Sequence, residues 1–156
     1  MKTASIQELK QELGTLSQPR LLELCLRLAK FKKENKELLT YLLFEAHDEE
    51  AYISSVKLLI DEGFEELPKS NLYLNKKTLR KILRITNRYI KYAASAQVEV
   101  SLLIYFCNKM KGSGIPYQKS TVLNNLYTSQ LKKIKSALSG LHEDLQYDFQ
   151  RDLDGL

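Results

Sequence analysis

Two histidines are the residues in this sequence with the clearest capacity for metal or acid–base chemistry. His47 stands three residues before Glu50, and His142 is followed directly by Glu143 and Asp144. Imidazole and carboxylate groups at such spacing can chelate a metal ion, which would suit a metal-dependent enzyme. Acids beside a histidine at a helix start are also favoured by the helix dipole alone. We prefer this second explanation, in which the acids near both histidines cap helices or are charges on the protein surface.

Motifs for catalysis are missing around these histidines. Helical di-metal sites use Glu-x-x-His, whereas Phe44 and Ser139 stand three residues before the two histidines. There is no G-x-S-x-G motif, and no cysteine motif adjoins a histidine. The stretch 112–114 lacks the G-K-[ST] ending of a phosphate-binding loop and follows a predicted helix rather than a strand. We therefore predict a non-enzyme with no catalytic residues, no bound metal and no cofactor.

Positive charge on one predicted helix is the strongest candidate binding feature. Between Lys76 and Lys91 apolar residues recur at three- and four-residue steps, which predicts an amphipathic helix. The name basic stripe is used here for the cations on its other side: Lys77, Arg80, Lys81, Arg84, Arg88 and Lys91. Like charges four residues apart destabilise a helix by about 0.2–0.5 kcal/mol per pair. A counter-charge, internal or external, is therefore expected against the basic stripe.

Segregation of charge along the chain offers an internal counter-charge. Residues 45–68 hold eight acids and one lysine, whereas residues 69–111 hold ten Lys and Arg residues and one acid. Residues 141–156 hold five acids and Arg151. We rank first an arrangement in which one of these acidic segments lies across the basic stripe. A nucleic-acid backbone or an acidic protein is the external alternative, because basic residues on one face suit phosphate binding.

Glu99 is the one acid within residues 69–111, and it lies in the most apolar run, Val98–Cys107. A buried and ionised carboxylate needs a cation or several hydrogen-bond donors. This makes Glu99 a candidate buried ion pair with Arg84 or Arg88. The alternative, which we favour, places Glu99 on an exposed edge of its helix, because Glu is almost never buried unpaired.

Five tyrosines near basic residues could stack on nucleic-acid bases. They are Tyr89, Tyr92, Tyr105, Tyr117 and Tyr127. Most of them stand at the spacing of a helix core, where a tyrosine packs its ring and directs its hydroxyl outward. Core packing is therefore the predicted role.

Composition and apolar spacing predict an all-α protein. Leu, Lys, Glu and Ala are abundant, and no segment alternates as a strand would. A chain of 156 residues suits a single domain covering 1–156. We predict seven or eight helices, with antiparallel hairpins over Ser17–Ala46, Lys76–Lys111 and Ser120–Leu153. The hairpins share no alignable period, so a compact bundle and an irregular HEAT-like stack both fit.

Capping signals predict the ends of several helices. Ser5 and Glu8 have the spacing of a capping box. Ser95 is a predicted N-cap that separates two long helices, and Gly63 is predicted to end a helix. The segment 64–75, with its proline and polar residues, is predicted to be the longest irregular connection.

The cysteines and the apolar runs predict a cytoplasmic protein without a membrane segment. Cys25 and Cys107 lie far apart in apolar helical runs, so neither a disulfide framework nor a metal clip is expected. The longest apolar run contains an acid and falls far short of the ~20 residues that a membrane helix needs.

Two helical patterns carry a resemblance to a known kind of protein. Leu16-Ser-Gln-Pro-Arg-Leu-Leu-Glu-Leu24 forms a Leu-Ser-x-x-x-Leu helix, and Lys36-Glu-Leu-Leu-Thr-Tyr-Leu-Leu43 forms a Lys-x-x-Leu-x-x-x-Leu helix. Followed by an acidic helix, and later by a basic and an apolar helix, they resemble an uncharacterised all-helical bacterial family. The resemblance implies an all-α fold and brings no activity, cofactor or ligand with it.

Taken together, these features predict a non-enzymatic helical module that binds other proteins or serves as a scaffold. The alternative is a nucleic-acid-binding protein that uses the basic stripe. A protein partner is expected first and nucleic acid second, with no membrane partner.

Overall fold

The fold is all-α, as predicted. The structure, a computed structural model, describes residues 1–68 and 71–156, and within these ranges it contains eight α-helices and no strand. The helices are α1 (Ile6–Gly14), α2 (Gln18–Phe31), α3 (Lys33–Thr40), α4 (Glu49–Glu65), α5 (Leu72–Ala93), α6 (Ala96–Gly112), α7 (Thr121–Leu138) and α8 (Glu143–Asp154). A π-helical turn over Tyr41–Glu45 follows α3, and a 3₁₀ turn over Tyr117–Lys119 precedes α7.

The chain forms two compact units, residues 1–44 and residues 45–156. The first holds α1, α2 and α3, and the second holds α4 to α8. The sequence predicted a single domain over 1–156, and this stays a prediction.

Local signals define the helices of the unit 1–44. The capping box of α1 is confirmed, because the amide of Glu8 donates to Ser5 Oγ at 3.3 Å and the amide of Ser5 donates to Glu8 Oε2 at 2.7 Å. The bond from the Ser5 amide, together with one from the Ser5 hydroxyl to the same oxygen at 2.8 Å, lowers the pKa of the Glu8 carboxyl. The helices α2 and α3 pack together across one extended residue, Lys32. Asn35 Nδ2 fixes this joint by donating to the carbonyl of Leu28 at 2.8 Å.

The helix α4 runs through Gly63 to Glu65, so the prediction that Gly63 ends a helix is wrong. Its place in the fold explains the glycine. A Cβ at position 63 would lie 2.7 Å from Cγ1 of Ile82 on α5, and Ile82 is itself buried. Gly63 therefore permits a close approach of α4 and α5 rather than a turn.

The helix α5 begins at Leu72, earlier than the start predicted at Lys76. Its N-cap is Asn71, whose Oδ1 accepts from the amides of Tyr73 and Leu74, both at 3.1 Å. The prediction of an irregular connection is therefore wrong for residues 64–65 and 72–75, which are helical, and residues 69 and 70 lie outside the described ranges. An asparagine in this position supplies a cap that apolar periodicity alone does not reveal.

The apolar helix α6 forms the centre of the unit 45–156. It packs against α4, α5, α7 and α8. Its fully buried side chains are Val98, Val100, Leu102, Leu103, Phe106, Cys107 and Met110. Packing of four helices around one central helix is a bundle rather than a stack of hairpins, since each repeat of a stack contacts only its neighbours.

The predicted break between α5 and α6 is confirmed. Ala94 adopts a left-handed conformation with φ of 49°, which ends α5. Ser95 then caps α6, because its Oγ accepts from the amide of Val98 at 3.4 Å. Among the described helices, none combines the length and apolar character that crossing a bilayer requires.

Candidate functional site

The basic stripe lies on α5 opposite the buried face of that helix. Leu79, Ile82, Thr86 and Ile90 are buried on one side. On the other side Lys77, Arg80, Lys81, Arg84 and Lys91 are exposed, and Arg88 is half-buried. The Arg88 guanidinium lies 5.8 Å from the ring centroid of Tyr89, within the range of a cation–π contact. The fold thus presents a row of cations along one face of a single helix.

One internal counter-charge reaches the basic stripe from the end of α4. Nζ of Lys81 lies 3.2 Å from Oε2 of Glu66. Both side chains are more than half exposed, and such pairs contribute only about 0–1 kcal/mol. Within the described ranges, four members of the stripe form no ion pair: Lys77, Arg80, Arg84 and Lys91.

Another acid of the segment 45–68, Asp61, lies against α6 rather than against the basic stripe. Oδ1 of Asp61 lies 2.7 Å from Nζ of Lys109, and the Tyr105 hydroxyl donates to both carboxylate oxygens of Asp61 at 2.8 Å. The bond from Lys109 is the largest influence that lowers the pKa of Asp61, and the bond to Asp61 raises the pKa of Lys109. Burial, followed by the bond to Asp61, raises the pKa of Tyr105. This cluster locks α4 onto α6 and leaves the stripe largely uncompensated.

The acids of α8 do not reach the basic stripe. The helix α8 packs against α6. No acid of α8 pairs with the stripe in the described part of the chain. The internal arrangement ranked first from the sequence is thus seen at Lys81, whereas Lys77, Arg80, Arg84 and Lys91 form no ion pair with a described residue.

Glu99 is half-buried in the first turn of α6. Its carboxylate forms no ion pair with a described residue. An acid in the first turn of a helix is favoured by the unpaired amides at that end. Its position therefore has a local explanation that requires no buried partner.

The tyrosines contribute mainly to packing. Tyr92, Tyr117 and Tyr127 are buried, and Tyr89 and Tyr105 are half-buried. The rings of Tyr117 and Tyr127 lie 4.8 Å apart between centroids. Burial is the largest cause that raises the pKa of Tyr127 to about 12. Stacked bases would need open ring faces, and the buried rings do not offer them.

The two histidines are exposed and far apart in the sequence. His142 caps α8, since its Nδ1 accepts from the amide of Asp144 at 3.4 Å. Across residues 1–68 and 71–156, no three His, Cys, Asp or Glu side chains are grouped as metal ligands.

A broad apolar surface on the unit 1–44 was not singled out from the sequence. Tyr41 is the one buried residue among 1–44. Besides Met1, the exposed large apolar side chains of this unit, here named the N-terminal apolar surface, are Ile6, Leu9, Leu13, Leu22, Leu26, Leu28, Phe31, Leu38, Leu42, Leu43 and Phe44. Helical spacing of apolar residues does not distinguish a core from a surface, and here the exposed fractions of the side chains make the distinction.

Comparisons of this chain with protein-family models, with curated proteins and with solved structures found no match. The resemblance to an uncharacterised bacterial family accordingly stays a prediction. Functional proposals rest on the residues and geometry described above.

Proposed function

We propose that this chain is a non-enzymatic helical protein-interaction module and that its N-terminal apolar surface binds a second copy of the chain. The observation that carries the proposal is the exposure of α2. Leu22, Leu26, Leu28 and Phe31 are 60%, 47%, 63% and 76% exposed. A helix surface of this kind gains free energy when a partner covers it, at about 25 cal/mol per Å² of apolar area.

The distribution of charged residues on α2 supports a role in which a partner covers much of this helix. At ~100° per residue, Arg20, Glu23, Arg27 and Lys30 fall within about one quarter of the helix circumference. Apolar residues occupy more than half of the circumference. One neighbouring helix, α3, covers only part of such an arc, whereas a helix apolar over most of its surface is normally buried.

A second copy is the partner that the unit itself favours. The unit has 44 residues, and chains near this size usually need oligomerisation or another staple to bury enough surface. Its eight cations and five acids interleave along the sequence, so two copies would meet without a large block of like charge. Symmetric pairs of identical chains are also the commonest soluble oligomers.

The solution mass of the full chain tests this proposal. The purified protein should sediment at twice 18.1 kDa at tens of micromolar, and a Leu22→Glu/Leu26→Glu variant should sediment at 18.1 kDa. A Gln7→Glu/Gln11→Glu variant is the matched control, because it adds the same charge on the polar side of α1. A wild-type monomer throughout the micromolar range, or a dimer unaffected by the leucine changes, would overturn the proposal.

Nucleic-acid binding is the second candidate, and the unpaired cations of the basic stripe favour it. Arg80 and Arg84 are exposed on one face of α5 without an ion pair among the described residues. Basic residues in a row on one helix can neutralise backbone phosphates and release counterions. Binding of this kind would be independent of base sequence, because the basic stripe is not part of a motif that contacts base edges in a DNA groove.

A salt titration with labelled single- and double-stranded nucleic acid tests the second candidate. Affinity should fall steeply with salt for the wild type, and Arg80→Glu/Arg84→Glu should remove most of it. Lys132→Glu/Lys133→Glu on α7 makes the same change of charge at two other exposed positions. Equal losses in the two variants would indicate net charge alone and count against a role for the stripe.

We place these interactions in the cytoplasm. Cys25 and Cys107 are both free thiols, which suits a reducing compartment.

A further inference from the structure

Tyr73, near the start of α5, is an aromatic residue that the core of the unit 45–156 does not use. Its side chain is 73% exposed, whereas Tyr92 on the same helix is 8% exposed. The Tyr73 ring makes no aromatic or cation–π contact with a residue that the structure describes. Tyrosine is enriched at binding interfaces, because a partner can cover its ring while its hydroxyl stays in water. The open ring of Tyr73 is therefore available to a ligand.

The position of Tyr73 places its ring in line with the basic stripe. Four cations of the stripe follow it by four, seven, eleven and eighteen residues: Lys77, Arg80, Arg84 and Lys91. Residues at such steps lie on one face of an α-helix, and α5 has no break over this stretch. At a rise of about 1.5 Å per residue, the ring and the cations form a single row about 27 Å long.

The charge of this row is available to a polyanion. All four cations are exposed, and none forms an ion pair with a residue within 1–68 or 71–156. A linear row of cations complements a phosphate backbone, whose neutralisation releases counterions. A stacked strand advances about 3.4 Å per nucleotide, so the row matches the length of about eight nucleotides.

The exposed ring distinguishes a single strand from a duplex. In a duplex the faces of the bases are covered by their neighbours, whereas a base of a single strand can leave the stack and lie on an aromatic side chain. Tyr147 is also exposed, but it lies on α8, where five acids and one arginine would repel phosphates. Tyr73 thus combines an open ring with neighbouring cations.

We propose that α5 binds single-stranded nucleic acid, with one base stacked on Tyr73 and the phosphates of the same strand along Arg80, Arg84 and Lys91. This inference rests on the nucleic-acid candidate described above and adds to it the type of strand and the residue that selects it. Stacking tolerates any base, because every base has an aromatic face.

Three labelled probes separate the bases from the phosphates. They are an oligothymidylate of about eight nucleotides, an abasic strand of the same length and a hairpin duplex, each titrated with the full chain at low salt while fluorescence anisotropy is followed. The oligothymidylate should bind at least about fivefold more tightly than the abasic strand, as expected for one stacked base. Equal affinity for these two strands would overturn this inference alone. Absence of binding to all three probes would overturn the nucleic-acid candidate as well.

Substitutions of Tyr73 test the assigned ring. Tyr73→Ala should weaken oligothymidylate binding by about fivefold or more and leave the affinities for the abasic strand and the duplex unchanged. Tyr73→Phe should keep the wild-type affinity, because stacking uses the ring and not the hydroxyl. Tyr147→Ala removes a comparably exposed tyrosine and should change nothing. Wild-type oligothymidylate binding by Tyr73→Ala would overturn the inference, and so would an equal loss for the abasic strand.

An anionic membrane is another surface that a basic helix with an exposed ring suits. Sedimentation with vesicles of phosphatidylserine and phosphatidylcholine separates this alternative from the proposal. The wild type and Tyr73→Ala should bind these vesicles equally, through charge alone. A loss of vesicle binding in Tyr73→Ala that is as large as its loss of oligothymidylate binding would assign the ring to a membrane and overturn the inference.

Discussion

Asp61 and Lys109 form an ion pair of 2.7 Å that joins the acidic helix α4 to the central helix α6. Asp61 therefore neutralises a cation of α6, whereas Glu62 and Glu66 line a cavity together with Lys81 and Arg88 of the basic stripe. Lys109 thus has a counter-charge, whereas Arg80 and Arg84 form no ion pair with any residue that the structure describes. The segregation of charge along the sequence predicted that acidic residues are available to pair with the basic ones. The packing of the helices determines which cations those acids pair with.

Removal of the Asp61 charge should destabilise the unit 45–156 in a pH-dependent way. Asp61→Asn should lower the free energy of unfolding by about 1 kcal/mol near neutral pH, because Lys109 is still 39% exposed and the pair is partly screened. The folded-state pKa of Asp61 lies below 3.8, so its contribution is present above 3.8 and is lost as the pH falls through that lower value. Urea unfolding of wild type and variant at several pH values measures this.

The same ion pair also loses its contribution to stability at alkaline pH, where Lys109 is deprotonated. The folded-state pKa of Lys109 is raised above 10.5, so its contribution is present below 10.5 and is lost as the pH rises through the higher value. Asp148→Asn, at an exposed position on α8, is the control and should change stability little at any pH. An Asp61→Asn cost that stays constant into strong acid would contradict the role of the charge.

Substitution of Gly63 should disturb the crossing of α4 and α5. Gly63→Ala places a methyl group 2.7 Å from Cγ1 of Ile82, which must shift within a buried site. Overpacking of this kind costs about 1–3 kcal/mol, and it opposes the gain of up to about 1 kcal/mol from alanine in a helix. We expect a net loss, measured by denaturant unfolding.

Two further variants test the cause of that loss. Gly112→Ala meets no atom within 4 Å and should be neutral or stabilising. A double variant, Gly63→Ala/Ile82→Ala, should be less destabilised than the sum of its single changes, because the clash is relieved. Strict additivity would show that steric conflict with Ile82 is not the reason.

Relief of charge repulsion on α5 should stabilise the helix. Arg84 has Arg80 and Arg88 four residues before and after it, so Arg84→Glu replaces two like-charge spacings with two opposite-charge spacings. The expected gain is about 0.5–1 kcal/mol at low salt, with a smaller gain at high salt. Thermal melts at two salt concentrations measure it. A lower melting temperature would mean that Arg84 already has a counter-charge in the folded chain.

The two cysteines should differ strongly in reactivity. Burial raises the pKa of the Cys107 thiol to about 12, whereas Cys25 is exposed on α2. Since the thiolate is the reactive form, a thiol reagent at mildly alkaline pH should modify one thiol in dilute native protein and both thiols in denaturant. Mass spectrometry should locate the native modification at Cys25. Rapid native labelling of Cys107 would contradict the buried position of α6.

Local signals predicted much of the helix layout. The capping box at Ser5 and the cap at Ser95 follow from side chains within three residues of each helix start. The apolar run Val98–Cys107 indicated a buried helix because eight of its ten residues are apolar or aromatic. Each of these features depends on residues that are close together in the sequence, so it can be predicted from the sequence alone.

Contacts between distant residues explain the misses. Gly63 was interpreted as a helix stop because glycine often is one, and its contact with Ile82 depends on the crossing of two helices. The exposure of Leu22 and Leu26 could not be foreseen, since their spacing is the same for a core and for a binding surface.

The measurement that tests the central proposal most directly is the alkylation rate of Cys25 as protein concentration increases. Cys25 lies three residues from both Leu22 and Leu28 on α2, within the apolar arc. If this surface binds a second copy, the rate per thiol should fall as the dimer forms, and the Leu22→Glu/Leu26→Glu variant should show no such fall. A wild-type rate that is constant from nanomolar to hundreds of micromolar would contradict the account.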